Sequence, residues 1–194
     1  MHMKLINPED IYLFADAKSW REWMEKNHTR PDGIWLRLAK KGSSKMSVTH
    51  AQALDEALCF GWIDALAKSY DADTWLLRFT PRRPKSIWSK VNREHVARLI
   101  QEKKMTEYGL KEIERAKKDG RWDAAYDSPK TMVIPEDFIS ELKGDPDAYA
   151  FYTTLNRTNT YAIAWRLQTA KKPETRERRK KILLEMLHRH EKLH

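Results

Sequence analysis

The chain has 194 residues, of which 41% are hydrophobic, and a formal net charge of +9. This length suits one domain or one domain with appendages, and no apolar run is long enough to predict a membrane span. The single cysteine, Cys59, excludes an intramolecular disulfide framework and a multi-cysteine metal site. Because the N-terminus also has no apolar signal-peptide core, we expect a cytoplasmic protein.

Two helix starts are predicted in the first third of the chain. Asn7 and Pro8 are followed by two acids, which is typical of a helix start, and the helical pattern continues to about residue 27. Thr49 and Gln52 form a capping-box pattern ahead of a second, more apolar helix. Gly61 ends that helix and permits a tight reversal of the chain.

Strands are predicted on either side of this second helix. Residues 33–39 alternate in polarity, and the runs 62–68 and 74–80 also suit strands. The residues between the two later runs have turn chemistry. The sequence therefore predicts an antiparallel pair formed by 62–68 and 74–80.

The rest of the chain is predicted to be mostly helical. Ser86 is placed to cap a long helix over 87–103, in which Trp88, Val91, His95 and Leu99 would form a buried stripe. Further helices are predicted over 108–118, from Pro135, from Asp145, over 159–170 and from Pro173 to near the end, where Ile182, Leu183, Met186, Leu187 and His190 would share one face.

These elements predict an α+β fold that is helix-rich, with a small antiparallel sheet in the N-terminal half and a helical C-terminal part. The organisation we expect is a mixed α+β core module over 1–130 and a helical region over 131–194 that ends in a basic helix. The two can also form one continuous domain.

The segment 78–92, RFTPRRPKSIWSKVN, carries five basic residues and no acid. Two prolines make it stiff and extended. Since arginine suits bidentate contacts with phosphate or carboxylate, we interpret this segment as an anion receptor ahead of a helix. The candidate ligand-binding residues here are Arg78, Thr80, Arg82, Arg83, Lys85, Ser86, Ser89 and Asn92.

Asp64, in the motif GWID, is the candidate carboxylate of the site. If the two strands pair, it can lie near Arg78 or Arg82 and orient an arginine or bind a ligand. The alternative is a structural ion pair that fixes the hairpin, and the arginines can equally pair with Asp71 and Asp73.

The sequence gives little support for a metal site, a cofactor site or a catalytic nucleophile. The seven histidines and one cysteine form no metal-binding pattern, and no phosphate loop or nucleophile motif occurs, so no cofactor and no metal are predicted. Positive charge is concentrated in two segments. Residues 78–104 carry nine basic and two acidic side chains, and residues 166–194 carry ten and four. This charge indicates an anionic partner, and nucleic acid is one such partner. The alternative is that the two segments are solvated helix faces.

Three segments carry a resemblance to a known family: GWIDALAKSYDADTWLLRFTPRRPKSIWSKVN, GLKEIERAKKDGRWDAAYD and AKKPETRERRKKI. They resemble the YdeI/OmpD-associated family, labelled bacteriocin-protection proteins, from Trp35 to the last helix. The positions that match its motifs are Gly61, Trp62, Asp64, Arg78, Phe79, Pro81, Arg82, Ser86, Trp88, Ser89 and Asn92.

The resemblance implies a soluble protein linked to tolerance of bacteriocins or cationic antimicrobial peptides and to envelope stress. It implies no reaction and no catalytic residue. Since this chain is itself basic, we expect any protection to be indirect or to involve an anionic small ligand or acidic protein surface. The alternatives are an enzyme that uses Asp64 with Arg78 and Arg82, and a nucleic-acid-binding protein.

Overall fold

The computed structural model describes residues 7–194. Residues 1–6, most of the N-terminal stretch used above to predict localisation, lie outside the described residues. The described part of the chain forms two compact units, one of residues 7–88 and 92–124 and the other of residues 89–91 and 125–194. Within these residues the fold is α+β with one four-stranded sheet, which confirms the predicted class.

The first unit contains four strands and four helices, except that residues 90–91, at the start of the third helix, belong to the second unit. They are β1 (Ile11–Tyr12), α1 (Ala17–Asn27), β2 (Ile34–Ala39), α2 (His50–Cys59), β3 (Trp62–Ser69), β4 (Thr74–Pro81), α3 (Lys90–Gln101) and α4 (Glu107–Lys118). The second unit contains α5 (Glu136–Leu142), α6 (Pro146–Thr153), α7 (Arg157–Gln168) and α8 (Pro173–His188).

The sheet has the strand order β1-β2-β4-β3. The pairs β2–β4 and β3–β4 are antiparallel, which confirms the predicted hairpin. The predicted helix start at Asn7 and Pro8 is confirmed only as a short 3-10 helix, Pro8–Asp10, which Asn7 caps. The strand β1 follows it, pairs in parallel with β2, and occupies residues that the sequence assigned to a helix. Pairing of Ile11 with Trp35 holds this stretch extended, so α1 begins only at Ala17, where Asp16 and Ser19 form a capping box.

The hairpin turn is organised by one carboxylate. Asp71 accepts hydrogen bonds from the Thr74 hydroxyl and the Thr74 amide, both at 2.7 Å, and from the Asp73 amide at 3.0 Å. Arg37 of β2 adds an ion pair at 2.6 Å. These donors, with Thr74 foremost, lower the pKa of Asp71 to about 2 because they stabilise the charged form.

Helices α1 and α2 cover one face of the sheet. The indole of Trp20 in α1 lies 5.8 Å from the ring of Phe79 in β4 and donates a hydrogen bond to the Ala53 carbonyl of α2. Trp20, Phe79 and Trp62 are completely buried. Because strand side chains alternate between faces, the residues next to Phe79 point to the other side of the sheet.

Glycines permit two tight features beside α2. Gly61 has φ +75° and turns the chain from α2 into β3, as the sequence predicts. A Cβ at Gly109 of α4 would lie 2.4 Å from the Cys59 carbonyl oxygen, and the Thr106 hydroxyl donates to that same oxygen at 2.6 Å. Helix α4 therefore lies directly against the end of α2. The Cys59 thiol is fully buried there, and burial raises its pKa to about 11.

Helix α3 begins at Lys90 and not after Ser86, so the sequence-based start is wrong. The Ser86 amide donates to the Arg83 carbonyl, and the Ser86 carbonyl accepts from Arg121, so these groups form a turn and not a helix cap. Trp88 is buried but precedes the helix. The buried residues of α3 itself are Val96 and Leu99.

The second unit is built around a core of its own between α5, α6, α7 and α8. The core residues are Phe138, Leu142, Ala148, Ile163, Leu167, Leu183, Met186 and Leu187. Asp145 and Asn156 cap α6 and α7 with side-chain hydrogen bonds. In α8, Ile182 is 52% exposed and His190 lies beyond the helix end, so the predicted common face narrows to Leu183, Met186 and Leu187.

Candidate functional site

Asp64 lies on the helix-covered face of the sheet. In the β3–β4 register it is opposite Phe79, so it shares the face of Phe79 and not that of Arg78. Its carboxylate contacts His50 Nε2 of α2 at 3.0 Å, and this hydrogen bond raises the pKa of His50. The structure therefore pairs Asp64 with a histidine that sequence reasoning did not select.

Arg78 and Thr80 point to the opposite face. The Arg78 guanidinium lies over the Trp35 ring at 5.6 Å and donates to the Asp32 carbonyl at 2.5 Å. Thr80 is opposite Ile63 of β3 and is half-buried. The expected grouping of Asp64 with Arg78 does not occur because adjacent strand positions face opposite ways.

The segment 82–88, which we call the arginine loop, follows β4. Its first arginine, Arg82, is only 5% exposed, and its guanidinium carbon lies 3.6 Å from the centre of the Trp88 ring. Arg82 Nη1 donates to the Ile87 carbonyl at 3.2 Å and lies 3.5 Å from the Ser86 hydroxyl. The stacking on Trp88 and the hydrogen bond to Ile87 both join the first residue of the loop to its last residues. The loop therefore folds back on itself.

Two arginines that the sequence did not single out hold the loop from outside. Arg121, 3% exposed, donates from Nη1 to the Ser86 carbonyl at 2.8 Å and pairs with Asp119 at 2.7 Å. Arg115 donates to the Arg82 carbonyl at 3.3 Å and pairs with Glu112. The only local signal for either was the three-residue spacing of Glu112 and Arg115 on one helix.

Glu112 lies among these three guanidinium groups. Burial raises the pKa of its carboxyl, while Arg115, Arg121 and Arg82 act in the opposite direction. Asp119 adds a second carboxylate through its ion pair with Arg121. Charged groups of both signs therefore hold the backbone of the loop.

Arg83 and Lys85 are exposed and flank Pro84 at the tip of the arginine loop. They differ in this from the buried Arg82, so the five basic residues of the segment do not form one surface. Ser86 is half-buried and its backbone is engaged on both sides. The loop accordingly has an internal part that fixes its shape and an external part that presents cations.

Ser89 and Asn92 are not on the same turn of a helix. Ser89 is 8% exposed and precedes α3, where its backbone forms an isolated bridge with Tyr126. Asn92 is half-buried within α3. Ser89 clusters with the second unit and Asn92 with the first.

The basic helix α8 uses much of its charge internally. Arg176 pairs with Asp137 at 2.7 Å, and Lys180 pairs with Glu141 at 2.7 Å. Arg179 donates to the Arg166 carbonyl at 2.7 Å. Arg178 and Lys181 remain exposed. The cationic surface of α8 is therefore smaller than its sequence indicates.

Among residues 7–194, no group of three or more histidine, cysteine, aspartate or glutamate side chains is arranged to hold a metal ion. In the same residues, no helix combines the length and the apolar character that crossing a bilayer requires.

Two family models match the chain. One, described as a domain of unknown function (DUF8412), matches residues 12–112. The other, described as bacteriocin-protection, YdeI or OmpD-associated, matches residues 131–190 and confirms the family expected from the sequence. Of the motifs that carried that expectation, GWID and the arginine loop lie within the range of the first model. No curated protein and no solved structure matches the chain.

Proposed function

Because the chain belongs to the family defined by the domain of unknown function DUF8412, we propose a function from the geometry of its site. The proposal is that the protein is a binding module which receives a compact anion, such as a phosphate group, at the tip of the arginine loop. The carrying observation is that Arg82 and Arg121, both nearly completely buried, fix a loop whose exposed tip presents Arg83 and Lys85.

A fixed loop supports binding because the backbone that carries the two cations need not be ordered when the ligand arrives. The Trp88 ring stacks on the Arg82 guanidinium, and Arg121 donates a hydrogen bond to the Ser86 carbonyl. Pro84 restricts the backbone between the two exposed cations. The segment 78–92 contains no acid that would compete with an anion for Arg83 and Lys85.

The match of residues 131–190 to a bacteriocin-protection model supports a role in tolerance of such toxins. Direct capture of a cationic peptide is disfavoured because the chain carries a net charge of +9 and would repel it. We therefore assign the protective role to an anionic partner that the arginine loop recognises.

Titration of the ¹⁵N-labelled protein with sodium pyrophosphate, at constant ionic strength, tests the proposal. We expect amide shifts concentrated in the arginine loop. The double variant Arg83→Gln/Lys85→Gln should bind pyrophosphate about tenfold more weakly, since two charge-assisted contacts are lost.

A matched control removes two exposed lysines of the second unit, Lys171→Gln/Lys172→Gln, which changes the net charge equally. This variant should bind pyrophosphate as the parent does. Equal weakening in both double variants would reduce the effect to general charge attraction and overturn the proposal. Shifts spread over the whole surface would do the same.

A further inference from the structure

A groove of about 410 Å³ opens in the second unit and has no part in the function proposed above. Its size lies within the range of small-molecule sites. One wall is the segment 129–134 with Ile139 of α5, and the other is formed by Tyr152 of α6 and the first turns of α7. The groove lies almost entirely in the part of the chain that matches the bacteriocin-protection model.

The walls of the groove are continuous with the core of its unit. Ile134, Ile139 and Tyr152 line the groove and also pack against the buried cluster that contains Phe138 and Leu142. Side chains held by a packed core do not need to rearrange to receive a ligand. Val133, also in the lining, is 79% exposed, so a large apolar side chain stands open to solvent at the groove.

Arg157 holds the wall in place. Its Nε and Nη2 atoms donate to the Pro129 carbonyl at 3.1 and 2.6 Å, and Nη2 also donates to the Lys130 carbonyl at 3.0 Å. Among the described residues, no hydrogen bond uses its Nη1 and no carboxylate pairs with it. The guanidinium thus has one fixed edge and one edge with donors left for a ligand.

The polar groups of the groove are otherwise neutral. Burial raises the pKa of Tyr152 and of Tyr161, so both phenols stay protonated at neutral pH and can donate hydrogen bonds. Thr160 adds a hydroxyl. The lining contains one cation, Arg157, and no carboxylate.

We propose that this groove binds a small organic acid, whose aliphatic or aromatic body packs against Val133 and Ile139 and whose carboxylate meets Arg157 Nη1. An apolar wall with a single cation matches an amphipathic monoanion. A polyvalent anion would bury charged groups against aliphatic side chains, which is unfavourable. The ligand class therefore differs from that of the arginine loop.

Two probes with the same body separate the contributions. 3-Phenylpropionate carries the carboxylate, and 3-phenylpropanol has a neutral hydroxymethyl group in its place. In ¹⁵N and aromatic ¹³C NMR titrations of the full chain, 3-phenylpropionate should shift resonances of Tyr152, Tyr161 and Val133. The alcohol should bind about tenfold more weakly, because it loses the charge-assisted contact.

A groove variant tests the location. Val133→Glu places a like charge at an exposed lining position, where folding is little affected, and should weaken 3-phenylpropionate binding about tenfold. Ser140→Glu introduces the same charge on the exposed surface of α5, next to Ile139 but outside the lining, and should leave binding unchanged. Equal effects of the two variants would overturn the assignment to the groove.

The remaining outcomes are equally decisive. Equal affinity for the acid and the alcohol would overturn the role of Arg157. An absence of shifts at groove residues with millimolar acid would overturn the site. Because pyrophosphate and 3-phenylpropionate are read at different residues in different units, failure of this inference leaves the arginine-loop proposal standing, and the converse also holds.

Discussion

At the scale of single residues, the arginines of this protein divide into structural and presented groups. Arg82 stacks on Trp88 and Arg121 reaches a backbone carbonyl, whereas Arg83 stands in solvent one position from Arg82. Adjacent arginines thus have different physical roles. The sequence alone could not distinguish the buried arginine from the exposed one, because Arg82 is buried by tertiary contacts that no local pattern shows.

Replacement of Arg82 by lysine tests its structural role. Arg82→Lys keeps the charge but loses the planar stacking on Trp88 and the fixed direction of the hydrogen bond to the Ile87 carbonyl. We expect the free energy of unfolding to fall by about 2 kcal/mol. Urea denaturation followed by far-UV circular dichroism measures it.

The neighbouring change Arg83→Lys is the control for this experiment. Arg83 is exposed, so its replacement should change the free energy of unfolding by less than about 0.5 kcal/mol. Similar losses from the two substitutions would contradict the division between a buried and a presented arginine.

At the scale of elements, local patterns predicted the hairpin and several helix starts, among them the capping box of Thr49 and Gln52 and the starts at Asp145 and Pro173. Strands 62–68 and 74–80 were predicted from alternation and turn residues, which are properties of neighbouring positions, and the hairpin has that pairing. The start of α3 was missed. Arg121 and Tyr126, more than thirty residues further along the chain, bind the stretch just before it and keep it from becoming helical.

The sequence predicted where the candidate site lies but not which residues contact it. The segment 78–92 was found because its composition is unusual, but its partners Arg115 and Arg121 come from α4 and the residues after it. Likewise, Asp64 was selected from its place in a strand, while His50 contacts it only through the packing of α2 on the sheet. Tertiary contacts of this kind leave no periodic signal in one sequence.

The hairpin turn gives a pH-dependent prediction. Hydrogen bonds, mainly from Thr74, lower the pKa of Asp71 to about 2, below its usual value of about 3.9. A lowered pKa in the folded state means that the stabilisation is present above pH 4 and is lost as the pH falls from about 4 through about 2. We expect Asp71→Asn to destabilise the protein at pH 7 and to flatten this acid dependence.

Carbon-detected NMR titration of the Asp71 carboxyl, with urea denaturation at several pH values, measures both effects. Asp73→Asn in the same turn is the control, because Asp73 contributes only backbone atoms to the described hydrogen bonds of the turn. A normal Asp71 pKa, or an acid dependence unchanged in Asp71→Asn, would contradict this account.

At the scale of the whole molecule, net charge overstates the surface available to nucleic acid. Arg176, Arg179 and Lys180 of α8 are engaged by carboxylates or a carbonyl, and Arg82 and Arg121 are buried. Within α8, Arg178 and Lys181 are the exposed cations left to displace counterions from a phosphate backbone. Affinity for duplex DNA falls steeply with salt in proportion to the number of such contacts.

We therefore expect the full chain to pass through a DNA–cellulose column at about 0.15 M salt, and to be retained only at much lower salt. Stepwise elution measures the effect. Arg178→Gln/Lys181→Gln, which removes exposed cations of α8, should shift elution to a lower salt concentration. Retention of the parent chain well above 0.15 M salt would restore the nucleic-acid alternative.

The buried thiol of Cys59 has a practical consequence for all these measurements. It is the only cysteine in the sequence, and its burial and raised pKa keep it protonated and shielded at neutral pH. A cysteine introduced at an exposed position, as in Arg83→Cys or Val133→Cys, would be the preferred target of a maleimide dye. A fluorescent reporter can thus be attached to the arginine loop or to the groove while the native thiol is left in place.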